Sequence, residues 1–419
     1  MRWLRTIPLV ALVGGSLLEA ERYIADNPRL SARWVHMEWR EAPLLAVLML
    51  AAALCLVQPS LARNDAPSQR SAMRHALLSL ALMTWIGGVA AASMTVVGES
   101  SFFWGAIAPY LLAALVFVVV RTLRPSVGEL AWVITGASLV VTATVMLDAA
   151  GRWHDGPLES LRRPHGLLFN RNYAGEYLAL TLAFALPALA RPRARWLLVP
   201  IAFALVWTRC RTAWIAAPLT GVCLLLCSPH AQRRALATAL ATLCLAMLLA
   251  AVVPTRLQWR EHDPYRATAA RLVDLRSGSG ALRVRQYRET LELVRGRLLV
   301  GLGPGRWQEN IARRDATLAI NRNPHSDYLR ALADGGLPSV AGLCLLLAFA
   351  GAAARRVDPR ATTLVVVFSF MACADCPLYR IETFTLAAAV LGTVAAALAP
   401  AGVRSPSRTP APAVALIAD

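Results

Sequence analysis

Blocks of apolar residues, broken by arginine, proline and polar clusters, recur along most of this chain. Each is near the roughly 20 residues that a bilayer-spanning helix requires. Nothing else in the sequence constrains the fold as tightly. Backbone inside hydrocarbon must satisfy its own hydrogen bonds, so a long succession of such blocks implies an all-α integral membrane protein. Reading along the chain gives about twelve candidate transmembrane helices, at residues 7–19, 42–62, 76–97, 103–120, 129–148, 173–190, 195–207, 213–227, 235–253, 332–353, 361–378 and 382–400. The first follows a basic lead, Met1 to Arg5, as a signal peptide would, but the residues before Glu21 make a poor cleavage site. Composition agrees with the pattern. Of 419 residues 57% are hydrophobic and 16% charged, against about 25% charged in soluble domains. Disorder, coiled coil, collagen and a disulfide-stapled module are excluded.

The formal net charge is +18, and all 43 basic residues are arginine. A GC-rich genome accounts for most of that bias. In a membrane protein the excess belongs in loops beside anionic lipids or anionic substrates, and no nucleic acid partner is expected. Arginine in short loops also sets orientation. With the N-terminus inside, Arg63, Arg70 and Arg74, Arg121 and Arg124, Arg191 to Arg195, Arg233 and Arg234, and Arg355 to Arg360 all fall in the cytoplasm. So do Arg404 and Arg408 of the Pro/Ser-rich tail, which supports an even number of spans. The exception is 254–330, on the outer, periplasmic side, with 15 Arg against 8 acidic residues. A connection this long is usually functional or disordered. Apolar spacing at Leu282, Tyr287, Leu291 and Val294 predicts helix, so this reads as one large periplasmic helical loop. The expected organisation is helices 1–9 in 1–253, a periplasmic loop subdomain at 254–330, helices 10–12 in 331–400 and a flexible cytoplasmic tail at 401–419.

The outer side collects the candidate chemistry. Arg152, Arg162, Arg163, Arg171 and Asn172 precede the sixth span. Arg209, Cys210 and Arg211 lie between the seventh and eighth, and Arg283, Arg285 and Arg288 lie on the long loop. Arginines converging on one pocket would bind a diphosphate without a metal, because guanidinium forks onto phosphate oxygens and neutralises developing charge. A single arginine is more often a snorkelling interface residue. Arg211 stands apart because it adjoins the apolar run Ala213 to Cys227, where an ionisable group is costly. His325 is the best general-base candidate, since imidazole takes a proton near neutral pH. Asp327 either orients it or caps the helix that starts near Tyr328. The run Gly301-Leu302-Gly303-Pro304-Gly305 lacks the Lys-Ser/Thr of a phosphate loop and reads as a tight backbone turn. Cys373 and Cys376 make one C-x-x-C without zinc spacing, and the other cysteines read as small apolar residues. There is no HExxH and no carboxylate cluster, so neither a metal site nor a cofactor is expected.

Four stretches in this order resemble the O-antigen ligase and polymerase superfamily of bacterial membrane glycosyltransferases. They are Arg171-Asn172-Tyr173-Ala174-Gly175; Thr208 to Trp214; Arg283 through Tyr287 followed by Gly301 to Gly305; and His325-Ser326-Asp327-Tyr328-Leu329 with Asp334-Gly335-Gly336-Leu337. The single large loop matches as well. Cys210 and Thr212 replace the usual Ser and Gly around Arg211, and Tyr287 stands where Trp is common. The resemblance implies transfer of a glycan from an undecaprenyl-diphosphate-linked donor to a hydroxyl, at the periplasmic face of the bacterial inner membrane. Among ligases the acceptor is a sugar of the lipid A core; among polymerases it is another lipid-linked repeat unit. Arg211 and Arg283 would face the leaving diphosphate and His325 the acceptor hydroxyl. Arg209, Arg171, Asn172, Arg285, Arg288 and Tyr328 would contact substrate. The compact chain and the His325 motif favour ligase over polymerase, with a protein oligosaccharyltransferase third. A non-enzymatic transporter of lipid-linked glycans is the alternative from another class, and it would show two similar halves, which this chain lacks.

Overall fold

The computed structural model describes residues 113–398, apart from 115, 122, 153–163, 169, 254–263, 273, 316 and 319–322. The spans expected at 7–19, 42–62 and 76–97, most of that at 103–120, Arg162, Arg163 and the tail 401–419 lie outside the described residues.

Among the described residues the regular structure is helical, with no strand. The helices are α1 (Val127–Ala149), α2 (Arg171–Leu189), α3 (Leu198–Trp207), α4 (Arg211–Cys227), α5 (His230–Val252), α6 (Pro264–Ala270), α7 (Gly278–Val294), α8 (Trp307–Arg314), α9 (Asp327–Val357), α10 (Pro359–Ala374) and α11 (Ile381–Leu398). Every span expected from position 129 onward has a helix in its place. Three of them, α1, α5 and α9, are long and apolar enough to cross a membrane. This is a membrane protein by the length and composition of these helices.

Helix starts follow local chemistry. Ser126 caps α1 through a reciprocal pair with Glu129, whose N–H donates to Ser126 Oγ at 3.2 Å while Glu129 Oε2 accepts from the Ser126 N–H at 2.8 Å. Asn170 Oδ1 accepts from the Asn172 N–H at 2.8 Å to begin α2. Asp358 caps α10 from just before Pro359, the residue best suited to a first helical position.

Packing separates helices that look alike in sequence. From Ala174 to Leu186 every residue of α2 is buried, against α4, α1 and α10. In contrast α5 buries only one stripe and exposes Leu245, Leu248, Leu249 and Val252. A helix apolar on all sides belongs inside a bundle or in lipid. Here α2 takes the first place and α5 the second.

Between α5 and α9, α6 packs through Tyr265 with Ala149, Val206, Trp207 and Ala250, while α7 and α8 share a small apolar core of Val294, Leu302, Trp307, Ile311, Leu318, Leu332 and Ala333. Two of these belong to the first turns of α9, so the helix expected at 332–353 begins earlier and serves two regions. Its helical course breaks at Gly336, where φ is 68° and ψ −163°. That break is a docking point. Leu337 donates its N–H to the Leu298 carbonyl at 2.7 Å, and Leu302 donates to the Ala333 carbonyl at 2.6 Å. A Cβ on Gly336 would lie 2.5 Å from the Leu299 carbonyl, and one on Gly301 2.6 Å from the Ala333 oxygen. Only glycine tolerates both the left-handed backbone and the approach. The glycine-rich run is therefore a tight backbone turn, with positive φ at Gly301, Gly303 and Gly305, laid against the broken helix.

Candidate active site

Three chain segments meet near the start of α9. The first is the turn into that helix. His325 has φ 49°, and its N–H donates to Asn323 Oδ1 at 3.0 Å. A left-handed backbone at a non-glycine residue is sparsely populated and is retained where its surroundings enforce it. Here the Asn323 side chain and the Ser326 cap of α9, which accepts from Leu329, hold the turn.

The second segment joins α10 to α11. Asp375 ends α10 in an extended conformation, earlier than the expected limit at 378, and Pro377 prevents continuation. The Asp375 side chain is fully buried and carries the contact that orients the histidine: His325 Nδ1 lies 3.2 Å from Asp375 Oδ1. The same oxygen accepts from Arg380 at 2.7 Å and from the Cys376 N–H at 2.9 Å. Burial opposes ionisation of this carboxyl. The Arg380 charge outweighs it, together with the hydrogen bond and charge of His325 and the charge of Arg283, and the group is held well below the usual carboxylate range.

The third segment is α7. Arg283 reaches Asp375 Oδ2 at 3.4 Å and keeps a fifth of its side chain exposed. One turn on, the Tyr287 hydroxyl lies 2.8 Å from the His325 carbonyl and 3.1 Å from that of Cys373, so it stitches the histidine turn to the end of α10. Burial pushes this hydroxyl up to about 12, which keeps it a donor at neutral pH. At the N-terminus of α4, Arg211 donates to the Arg271 carbonyl and to Ser279 Oγ at 2.7 Å, and so meets the beginning of α7. Its guanidinium is close enough to Arg283 for the two like charges to act on each other. Two partly exposed arginines beside a carboxylate-oriented imidazole can hold an anion with several oxygens on one side and take a proton on the other.

The structure thus gathers His325, Arg283 and Arg211, and it joins Arg171 to Arg209. Arg171 donates to the Arg209 carbonyl at 3.4 Å, while Arg209 itself is buried, has φ 52° and donates to Thr268 at 2.8 Å. Gly175 permits this turn to pack, since a Cβ there would lie 2.5 Å from Cys210 Cβ. Asn172 begins the same helix, with its N–H on the Asn170 cap. The remaining candidates face elsewhere. Arg285 pairs with Asp315, Arg288 is exposed, and the Tyr328 hydroxyl lies 3.4 Å from the Ser369 carbonyl between α9 and α10.

Asp327 neither orients His325 nor caps the helix: its Oδ2 accepts from the Leu378 N–H at 3.0 Å, and Ser326 is the cap. Sequence reasoning missed Asp375, Arg380 and Glu176. Their only signal was the presence of ionisable residues within apolar text, the same argument that singled out Arg211. Among the described residues no group of three or more His, Cys, Asp or Glu is arranged to hold a metal ion, and Cys373 and Cys376 are free thiols.

Residues 196–346 match the family model described as O-antigen ligase, which relates the chain to the O-antigen ligase and polymerase superfamily. The match takes in Arg209, Arg211, Arg283 and His325, and ends before Asp375 and Arg380. No curated protein matches the chain.

Proposed function

We propose that this protein is an O-antigen ligase that transfers a glycan from undecaprenyl diphosphate to a sugar hydroxyl of the lipid A core. The observation that carries the reading is the His325–Asp375 contact at 3.2 Å with Arg283 on the other Asp375 oxygen, inside a region partly covered by the family match. With Nδ1–H donated to Asp375, the free Nε2 of His325 accepts the proton of the acceptor hydroxyl as its oxygen attacks the anomeric carbon. The bond from that carbon to the diphosphate oxygen breaks, and undecaprenyl diphosphate leaves with the electron pair. Arg211 and Arg283 stabilise the charge gathering on it. Arg171, Asn172 and Arg209, at the junction of α2 and α4, sit on the donor side of this arrangement. Diphosphate is a good leaving group once its charge is met, so divalent metal is not required, and activity lost on chelation and restored by Mg²⁺ would refute that part.

In this reading the bundle has about twelve spans in the inner membrane, and 254–330 forms a periplasmic subdomain between helices 1–9 (1–253) and helices 10–12 (331–400), with 401–419 a cytoplasmic tail. The packing of α7 and α8 with the first turns of α9 around their own core supports a separate unit there.

The deciding experiment is deletion of the gene in its native host, followed by gel analysis of the lipopolysaccharide and of polysaccharide still attached to undecaprenyl diphosphate. Long chains absent from lipid A core but present on the carrier are the expected result. Lipid A core bearing one repeat unit would instead make the protein a polymerase. Unchanged transfer in a His325→Ala strain would favour a transporter.

A further inference from the structure

Behind the histidine lies a row of buried charge. The Arg380 side chain is only 4% exposed, and those of Glu176 and Asp375 are fully buried. One terminal nitrogen of Arg380 donates to Asp375 Oδ1 at 2.7 Å, the other donates to Glu176, and the guanidinium carbon stands 4.0 Å over the Tyr173 ring. Glu176 and Tyr173 belong to α2, more than 200 residues from Arg380 in sequence. The Asp375 oxygen held by Arg380 is the same one that faces His325 Nδ1. Arg380 is therefore one group removed from the imidazole and acts on it only through Asp375.

Two buried acidic side chains around one guanidinium are tolerable because the planar fork serves both at once; an ammonium offers no fixed fork. We propose that Arg380, clamped between Glu176 and Tyr173 of α2, is a positioning residue that fixes the Asp375 carboxylate and, through it, the orientation of His325. The proposal rests on His325 being the base. Its consequence is that the N-terminal turn of α2, which carries Arg171 and Asn172, and the base are held as one unit. The groups whose charge bears on this cluster are Glu176 and Tyr173 of α2, Arg283 and Tyr287 of α7, His325 and Asp327 at the start of α9, Cys210, Cys373 and Cys376, and Glu382 of α11. Arg380 joins Asp375 to two residues of α2 at once, and Glu176 also lies close enough to act on Asp375 directly.

The test uses the full-length protein in membrane lipid, with the host's undecaprenyl-diphosphate-linked glycan as donor and its lipid A core as acceptor. Wild type, Arg380→Lys, Glu176→Gln and His325→Ala are compared. Arg380→Lys keeps the charge and loses the fork, so kcat falls roughly tenfold or more, as for other small misplacements of a catalytic group, with donor KM near wild type. The acidic limb of the pH–rate profile, which a merely structural role would leave in place, moves from its wild-type position. Glu176→Gln, which loosens the far side of the clamp, shows the same kcat loss to a smaller degree. Thermal unfolding of each variant separates this from loss of fold. Wild-type kcat and an unmoved limb in Arg380→Lys would overturn the proposal while His325→Ala remained inactive. An active His325→Ala would instead overturn the reading on which it rests.

Discussion

Arg283 and Arg285 are two residues apart on α7 and lead opposite lives. The Arg283 side chain is 20% exposed and faces the buried Asp375, whereas that of Arg285 is 56% exposed and pairs with Asp315 beside α8. Two helical positions differ by about 200°, so one residue type on one helix is directed either into the site or away from it. Tyr287, one turn beyond Arg283, shares the inner face and ties the His325 turn to α10. Glu289 shares the fate of Arg285 and bonds Arg314 of α8 at 2.6 Å. Being basic and near the site is thus not what makes an arginine functional. The helical phase, set by which face of α7 meets α9, decides it.

The contrast can be pressed experimentally. The largest effect is expected at the centre of the inner face: His325→Ala should lower turnover by about 10²–10⁴-fold, the usual worth of a general base, in the same transfer assay and with donor binding retained. Next, Arg283→Ala should cost about 10²–10³-fold in kcat if it stabilises leaving-group charge, and Arg211→Lys should also lose activity because a point charge does not replace a fork. Near-normal turnover in either variant would remove that arginine from the role given it. A third test concerns acid stability. The folded-state value of Asp375 lies well below its unfolded one, so its contribution is complete above the unfolded value and is lost as pH falls through the folded value. Asp375→Asn should flatten that part of the acid unfolding curve, and an unchanged curve would show the ion cluster to be indifferent to folding.

Smaller effects mark the edges. Tyr287→Phe removes one hydroxyl shared between two carbonyls and should reduce stability by about 1 kcal/mol, measurable as a lower unfolding midpoint. On the outer face, Arg285→Ala breaks only an exposed ion pair and should change stability by about 0–1 kcal/mol, with turnover near wild type. Equal losses from Arg285→Ala and Arg283→Ala would erase the distinction between the two faces.

Much of this was readable from local text. Apolar blocks located α1 to α5 and α9 to α11, because burying side chains along a helix leaves a mark of length and composition. The glycine-rich run was recognisable as a turn, since three glycines in five residues serve left-handed backbone. His325, Arg211 and Arg283 stood out as costly or chemically apt residues in a resembling order. Less legible were ends and partners. The helix starting at Asp327 breaks at Gly336, where the glycine turn docks, before it continues to Val357, and that contact is invisible along the chain. Asp327 was an attractive partner for His325 by adjacency, yet helix geometry points it at Leu378.

By itself, then, the sequence determined that this is a helical membrane protein, where most of its described helices lie, and which arginines and histidine are chemically notable. These are properties of neighbouring residues, and periodicity and side-chain cost record them directly. Only the tertiary structure decided that α2 is central and α5 peripheral, that Arg283 faces inward and Arg285 outward, and that Glu176 is joined through Arg380 and Asp375 to His325. A buried charge requires a partner in space, and no local pattern names a partner on another helix some 200 residues away.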